Sequence, residues 1–143
     1  MRVLGLDLGT VRIGVAVSDP IGIIASPHSV IRRGGDHGVD HDAIAALVSE
    51  LEVGRVVVGL PLSMDGSLGP AATAALDEID ELGDRLAVPV EPYDERLTTV
   101  SAERSLREGG VRGRSRRDVI DKVAAAVILQ SWLDGRPSPA PDA

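Results

Sequence analysis

Cysteine and phenylalanine are absent from these 143 residues, Lys122 is the one lysine, and Tyr93 and Trp132 are the only tyrosine and tryptophan. Without cysteine there are no disulfides and no thiolate metal sites, which suits a reducing, cytoplasmic compartment. With so few aromatic rings, stacking of nucleic-acid bases on aromatic platforms is a poor prospect. No apolar run reaches the roughly 18 residues that a bilayer requires, so no membrane partner is expected. The first segment is interrupted by Asp7 and Arg12 and lacks a small-residue cleavage site, so it does not read as a signal peptide. Hydrophobic residues at 43% and charged residues at 26% then point to an ordinary globular domain, long enough to bury a real core.

A formal net charge of −7 argues against a nucleic-acid partner until its distribution is considered. Between residues 104 and 117 six arginines (104, 107, 112, 114, 116 and 117) stand against Glu108 alone. Screening acts over about 8 Å at physiological salt, so a phosphate chain would respond to this local cluster more than to distant acids. A solvated, exposed loop explains the same run without a ligand. With a single lysine in the chain, the preference for arginine also reads as genome composition.

Hydrophobic periodicity supplies the element order. "RVLGLDL" (2–8) and "RIGVAVS" (12–18) read as strands joined by a short turn, and "GIIASPHSVI" reads as a third strand broken by Pro27. Ile44, Leu47, Val48 and Leu51 recur at helical spacing, with Asp40 or Asp42 as cap. "RVVVGLP" has the continuous apolar character of a central strand. A helix follows from Pro70 to about Leu86, then a fifth strand in "VPVEPY". Another helix is expected near 99–108, stopped by Gly109-Gly110, and a last one from about 118 to 133. The order β-β-β-α-β-α-β-α-α implies an α/β fold, a five-stranded mixed sheet with helices on both faces. The Pro-rich end, 135–143, reads as a disordered tail.

Three carboxylate positions stand out. Asp7 closes the first strand, Asp94-Glu95 lie where the fifth strand runs out, and Asp121 is expected in the first turn of the last helix. Ligands of α/β sheets gather outside the carboxyl ends of strands. Asp121 has Ala124, Ala125, Ile128 and Trp132 as helical neighbours, so its charge falls on the packed face. A favourable dipole near the helix start, with Asp118 as cap, is worth only about 0.3–1 kcal/mol; a shared cation compensates the burial better. Oxygen ligands without His or Cys favour Mg²⁺ or Mn²⁺. Spacing by itself reaches no further than an acidic cluster at the sheet end that a metal would suit.

The stretches "GLDLGTVRIGVAVSD", "VVVGLPLSMDGS", "DERLTT" and "VIDKVAAAVILQSWLD", in this order over residues 1 to 134, closely resemble the YqgF family. Its members are Holliday-junction-resolvase-like proteins and pre-16S rRNA nucleases with a ribonuclease H-like fold. The resemblance implies a metal-dependent endonuclease domain over 1–134. It matches Asp7, Glu95 and Asp121 to the family's metal-holding, catalytic acids, with Asp94 a near alternative to Glu95. Arg12, Arg96, Thr98 and Thr99 belong to the matched motifs and are candidates for phosphate contacts, as are Arg112, Arg114, Arg116 and Arg117 of the basic segment. Thr98 or Thr99 equally suits a simple helix cap. Asp65 of "MDGS" also matches a motif, without a role; an Asp-Gly turn explains it as well. The implied substrate is ribosomal RNA precursor, with branched DNA second, and the residues do not select between ribose and deoxyribose or set an oligomeric state.

Two other readings are weighed against this one. "GLDLGT" also resembles the first phosphate loop of actin-like ATPases and sugar kinases, but "PYDERL" lacks the glycine-rich acidic motif that those enzymes use next. A nucleic-acid-binding factor that keeps the fold without turnover is the other. "GGDHGVDHDA" sets His37 and His41 four apart among acids, imitating a metal-ligand pattern, although its glycines suit a loop running into a helix cap.

Overall fold

A computed structural model describes residues 1–98 and 114–136, with residues 114–117 described by backbone alone. The elements are β1 (Arg2–Leu8), β2 (Arg12–Ser18), β3 (Ala25–Arg32), α1 (His37–Glu50), β4 (Val53–Leu60), α2 (Pro70–Arg85), β5 (Val90–Asp94), one 3-10 turn (Glu95–Leu97) and α3 (Arg114–Gly135). The strands form one sheet in the order β3-β2-β1-β4-β5. β1 pairs antiparallel with β2, and β2 with β3, whereas β1, β4 and β5 run parallel. The carboxyl ends of β1, β4 and β5 therefore finish together at one rim. The helix expected at 99–108 lies outside the described residues, as do Thr99 and Arg112.

The two sheet faces read directly from alternation along β1. Leu4 and Leu6 face one side, where they pack with Ile44 and Val48 of α1 and Ile79 and Leu82 of α2. Val3 faces the other, where Ala124, Ala125, Ile128 and Leu129 of α3 cover it together with Ala16 and Val57. A strand buried on both faces loses its polar alternation, which is why β1 and β4 are continuous apolar runs. Gly5 lies on the α3 face, and a Cβ there would sit 2.7 Å from the Leu129 Cβ. Glycine lets the helix lie directly on the strand.

Three boundaries differ from the sequence reading. β3 continues through Pro27 rather than breaking, because it is an edge strand; the pairing also skips His28, with Ser29 opposite Val15 and Pro27 opposite Ala16. α1 begins at His37, capped by Asp36, whose carboxylate accepts from the Gly38 N–H at 2.8 Å. Asp40 sits instead inside the helix, buried, and accepts from the Gly34 N–H and Arg33. α3 begins four residues earlier than expected, at Arg114, and runs to Gly135. Arg136, within the expected tail, lies over the Trp132 ring at 5.0 Å and donates to the Gly22 carbonyl; residues 137–143 lie outside the described part.

α1 and α2 are joined by a buried polar cluster. Arg33 donates through both terminal nitrogens to Glu78, at 2.9 Å each, and His41 Nε2 lies 2.8 Å from the same carboxylate. Burial pushes the Glu78 carboxyl up, but the hydrogen bonds from Arg33 and His41 outweigh it and hold Glu78 below its ordinary value. A depressed folded value stabilises the protein above the unfolded pKa and loses that contribution as pH falls through the folded one. Urea midpoints measured from pH 6 down to about pH 3 are expected to decline, and Glu78→Gln to flatten that decline. A Glu78→Gln protein with the wild-type acid slope would remove Glu78 from the effect.

Candidate active site

The rim at the carboxyl end of β1 collects side chains from three distant parts of the chain. Asp7 is paired in register with Gly14 of β2, and a Cβ on Gly14 would lie 2.0 Å from the Asp121 carbonyl oxygen. The backbone of α3 thus rests on β2 beside Asp7. On the other flank, Leu6 is paired with Val58, so Asp7 and Gly59 stand one residue further along their parallel strands. A Cβ on Gly59 would meet Glu95 Oε2 at 2.7 Å and Ile128 Cδ1 at 2.6 Å. The face is the one that α3 covers. Asp7, Glu95 and Asp121 therefore gather around one short length of β1, and all three are buried, at 2%, 1% and 4% exposure. Two glycines make the room: one admits the helix, the other the glutamate.

Each acid is held by its own local structure. Asp121 lies in the second turn of α3, not the first, so the helix dipole does not compensate its charge. Arg12 does. Its Nε donates to Asp121 Oδ2 at 2.7 Å and lies 3.4 Å from Asp118, which also faces Arg32 at 3.7 Å. Asp118 is accordingly an ion-pair partner within the helix rather than its cap. Arg12, expected at phosphate, is an inward residue that orients an acid. Breaking a buried pair costs about 3–5 kcal/mol; Arg12→Ala is expected at the lower end, about 3 kcal/mol by urea unfolding, because the guanidinium keeps some exposure.

The turn after β5 separates its two acids. The Asp94 carboxylate caps the 3-10 turn by accepting from the Arg96 N–H at 2.9 Å, and the Arg96 side chain closes on it through Nε and Nη2. That hydrogen bond from Arg96 holds the Asp94 carboxyl below its ordinary value, and Asp94 raises Arg96 in return. Glu95, one residue on, points inward to Gly59. Thr98 donates both its N–H and its hydroxyl to the Glu95 carbonyl, at 3.0 and 2.8 Å, which closes the turn as a cap. Arg96 also lies over Gly66, whose φ of +86° belongs to a tight turn. In that turn Asp65 accepts from the N–H and hydroxyl of Ser67, and these bonds lower its carboxyl from the ordinary value. Asp65 is a turn residue, and the turn carries Arg96.

Of the basic residues, Arg114, Arg116 and Arg117 fall in the first turn of α3 rather than in a loop. The signals that sequence reasoning passed over were Gly14 and Gly59. A glycine inside an apolar strand marks a close approach of other atoms, and both do so here. No described helix is long and apolar enough to cross a membrane.

The model of the family described as "RuvX: Holliday junction resolvase" matches residues 1–135. A Mycobacterium ulcerans protein named as a candidate pre-16S rRNA nuclease is 54% identical over 136 residues, spanning 94% of this chain and 79% of its own. A Myxococcus xanthus protein of the same name is 51% identical over 142 residues, 99% of this chain and 93% of its own. Among solved structures, T. thermophilus RuvC in complex with Holliday junction substrate superposes with a TM-score of 0.58 at 16% identity, covering 94% of this chain and 95% of that one. At that identity the likeness is one of fold.

Proposed function

Because the chain belongs to the RuvX (YqgF) family and is a nuclease, a hydrolase of phosphodiester bonds, we propose that Asp7, Glu95 and Asp121 are its catalytic centre and that precursor 16S ribosomal RNA is its substrate. The observation that carries this reading is the gathering of three buried carboxylates from β1, the 3-10 turn and α3 around the Asp7 position. Three such acids with no imidazole or thiolate among them form a hard oxygen donor set, which fits Mg²⁺ or Mn²⁺. When bound, such an ion supplies a more acidic water and charge to offset the phosphate.

The chain's own residues do the positioning. Arg12 fixes one edge of the Asp121 carboxylate, as the outer partner of a ligating acid does. Arg96 engages Asp94, and Thr98 closes the turn, so that Glu95 alone of the "DER" acids enters the cluster. Glycine at 14 admits the backbone of α3 at Asp121, and glycine at 59 admits the Glu95 side chain. Arg114, Arg116 and Arg117 would meet the nucleic-acid backbone at the start of α3, where main-chain N–H groups also favour anions. Hydrolysis places the water oxygen on phosphorus and a proton on the departing sugar oxygen. A precursor of ribosomal RNA also fits a cytoplasmic place of action.

The test sets precursor 16S RNA beside a synthetic four-way DNA junction, each with Mg²⁺, with Mn²⁺ and with chelator. RNA cleavage that chelator stops is the expected result. Cleavage of the junction alone would move the assignment to the second reading, branched DNA, which the family's description favours. Binding without cleavage of either would leave a non-catalytic factor. Affinity for single-stranded nucleic acid should fall by about 0.7 log units per contact for each tenfold rise in salt; replacing the three arginines with alanine is expected to reduce the total slope by about 2.

A further inference from the structure

The sheet face opposite the acids carries a second cluster, unused by the reaction above. His37 and His41 stand one turn apart on α1, with rings 5.4 Å apart and tilted by 30°. Both Nε2 atoms face the carboxylate of Glu78 on α2: His37 Nε2 lies 3.9 Å from Oε1, and His41 Nε2 lies 2.8 Å from Oε2. One ligand atom from each of the three residues fits within a span of 4.8 Å. We propose that His37, His41 and Glu78 form a binding site for a first-row transition-metal ion of the Zn²⁺ class, bridging α1 to α2.

Four observations support the assignment. Metal–ligand bonds of about 2.0–2.1 Å in a tetrahedron put neighbouring ligand atoms about 3.3 Å apart. The imidazoles stand on either side of that value, at 2.8 Å from one Glu78 oxygen and 3.9 Å from the other, with one ligand atom of each residue inside a 4.8 Å span. His37 Nδ1 lies 3.1 Å from Glu81 Oε1, the carboxylate–histidine arrangement that fixes a ligating ring with its other nitrogen turned to the metal. The charged side chains of the cluster are Asp40, Glu78 and Glu81 against Arg33 alone, an excess of two negative charges that a divalent ion neutralises. Finally, His37 is half-exposed on a cleft of about 460 Å³ lined also by Gly9, Thr10, Arg33 and Glu78. That cleft gives an ion a way in and leaves room for water as a fourth ligand.

Two imidazoles select against Mg²⁺ and for Zn²⁺, Co²⁺, Ni²⁺ or Cu²⁺, so this site differs in chemistry from the all-oxygen cluster. The ion would lie between His41 Nε2 and Glu78 Oε2, which now stand 2.8 Å apart. Arg33 stays on Glu78, and it also donates to the Gly9 carbonyl at 2.7 Å, in the turn that leaves β1. An imidazole ligates through a free lone pair, so binding weakens toward acid pH; the groups facing the two rings are Glu78, Glu81, Arg33 and Asp40.

The test uses the full chain after chelator treatment, titrated with Zn²⁺ by calorimetry and with Co²⁺ as a visible-absorption probe. One equivalent with a tetrahedral cobalt spectrum is expected at this site, in addition to any ion that the three acids of the other cluster hold. His37→Ala, at an exposed position, should remain folded, weaken Zn²⁺ binding at least tenfold and abolish the spectrum. Glu81→Gln should weaken binding at this site about 10- to 100-fold, as loss of an outer partner does, and Asp7→Asn should leave the tetrahedral cobalt spectrum unchanged. Absence of stoichiometric binding would overturn the proposal. So would a His37→Ala protein that binds like wild type, or a tetrahedral cobalt spectrum lost with Asp7→Asn instead. None of these readouts depends on cleavage, so the nuclease assignment and this site stand or fall separately.

Discussion

Asp7→Asn should fold, bind nucleic acid, and cleave it at least about 10³-fold more slowly than the wild type. The size follows from the role proposed for the carboxylate. Stabilising charge at a phosphoryl centre through a bound ion is worth several kcal/mol, and each 1.36 kcal/mol is tenfold in rate. Asparagine keeps the shape of aspartate and removes the negative charge, so packing against Gly14 and Gly59 is unchanged. The exchange preserves side-chain volume, so the melting temperature should lie within a few degrees of wild type. Initial cleavage rates with Mg²⁺ and with Mn²⁺, alongside a melting curve, check both halves. Wild-type rates in a folded Asp7→Asn protein would take Asp7 out of the reaction.

Gly14→Ala tests the same site through packing. The added methyl would lie 2.0 Å from the Asp121 carbonyl oxygen and 2.6 Å from its carbon. Overpacking a core usually costs about 1–3 kcal/mol. Here the obstacle is helix main chain, which has no rotamer to change, so at least about 3 kcal/mol is expected. For a domain of this size that is a fall in melting temperature of about 10 °C. Moving α3 outward also carries Asp121 away from Asp7, so cleavage should drop together with stability. Gly83→Ala in α2 is the control, because nothing lies within 4 Å of the added methyl. It should stabilise by about 0.5 kcal/mol through the unfolded chain alone. Equal melting temperatures for the wild type and Gly14→Ala would show that α3 is not seated on β2 as described.

Much of the architecture was legible because short-range pattern and backbone rules encode it. The helical spacing of Ile44, Leu47, Val48 and Leu51, the proline at the start of α2 and the apolar run of β4 each specify an element within about ten residues. Pro27 misled for the same reason. A proline looks like a break locally, and only its place on a sheet edge makes it harmless. The start of α3 misled differently: arginines 114, 116 and 117 look like a charged loop, yet they open the helix, and this shift removes Asp121 from the dipole and leaves Arg12 as its partner.

By itself the sequence determined the α/β order, the apolar faces and the identity of three acids worth watching, since each depends on neighbours along the chain. The tertiary structure decided which side chains meet. Asp7, Glu95 and Asp121 are placed along one length of β1 by its register with β2 and β4 and by two glycines that let a helix and a glutamate approach. It likewise turned Arg12 inward, engaged Asp94 with Arg96, and aimed His37 and His41 at a glutamate on another helix. Contacts between residues a hundred positions apart depend on how whole elements pack, and no local pattern of residues carries that information.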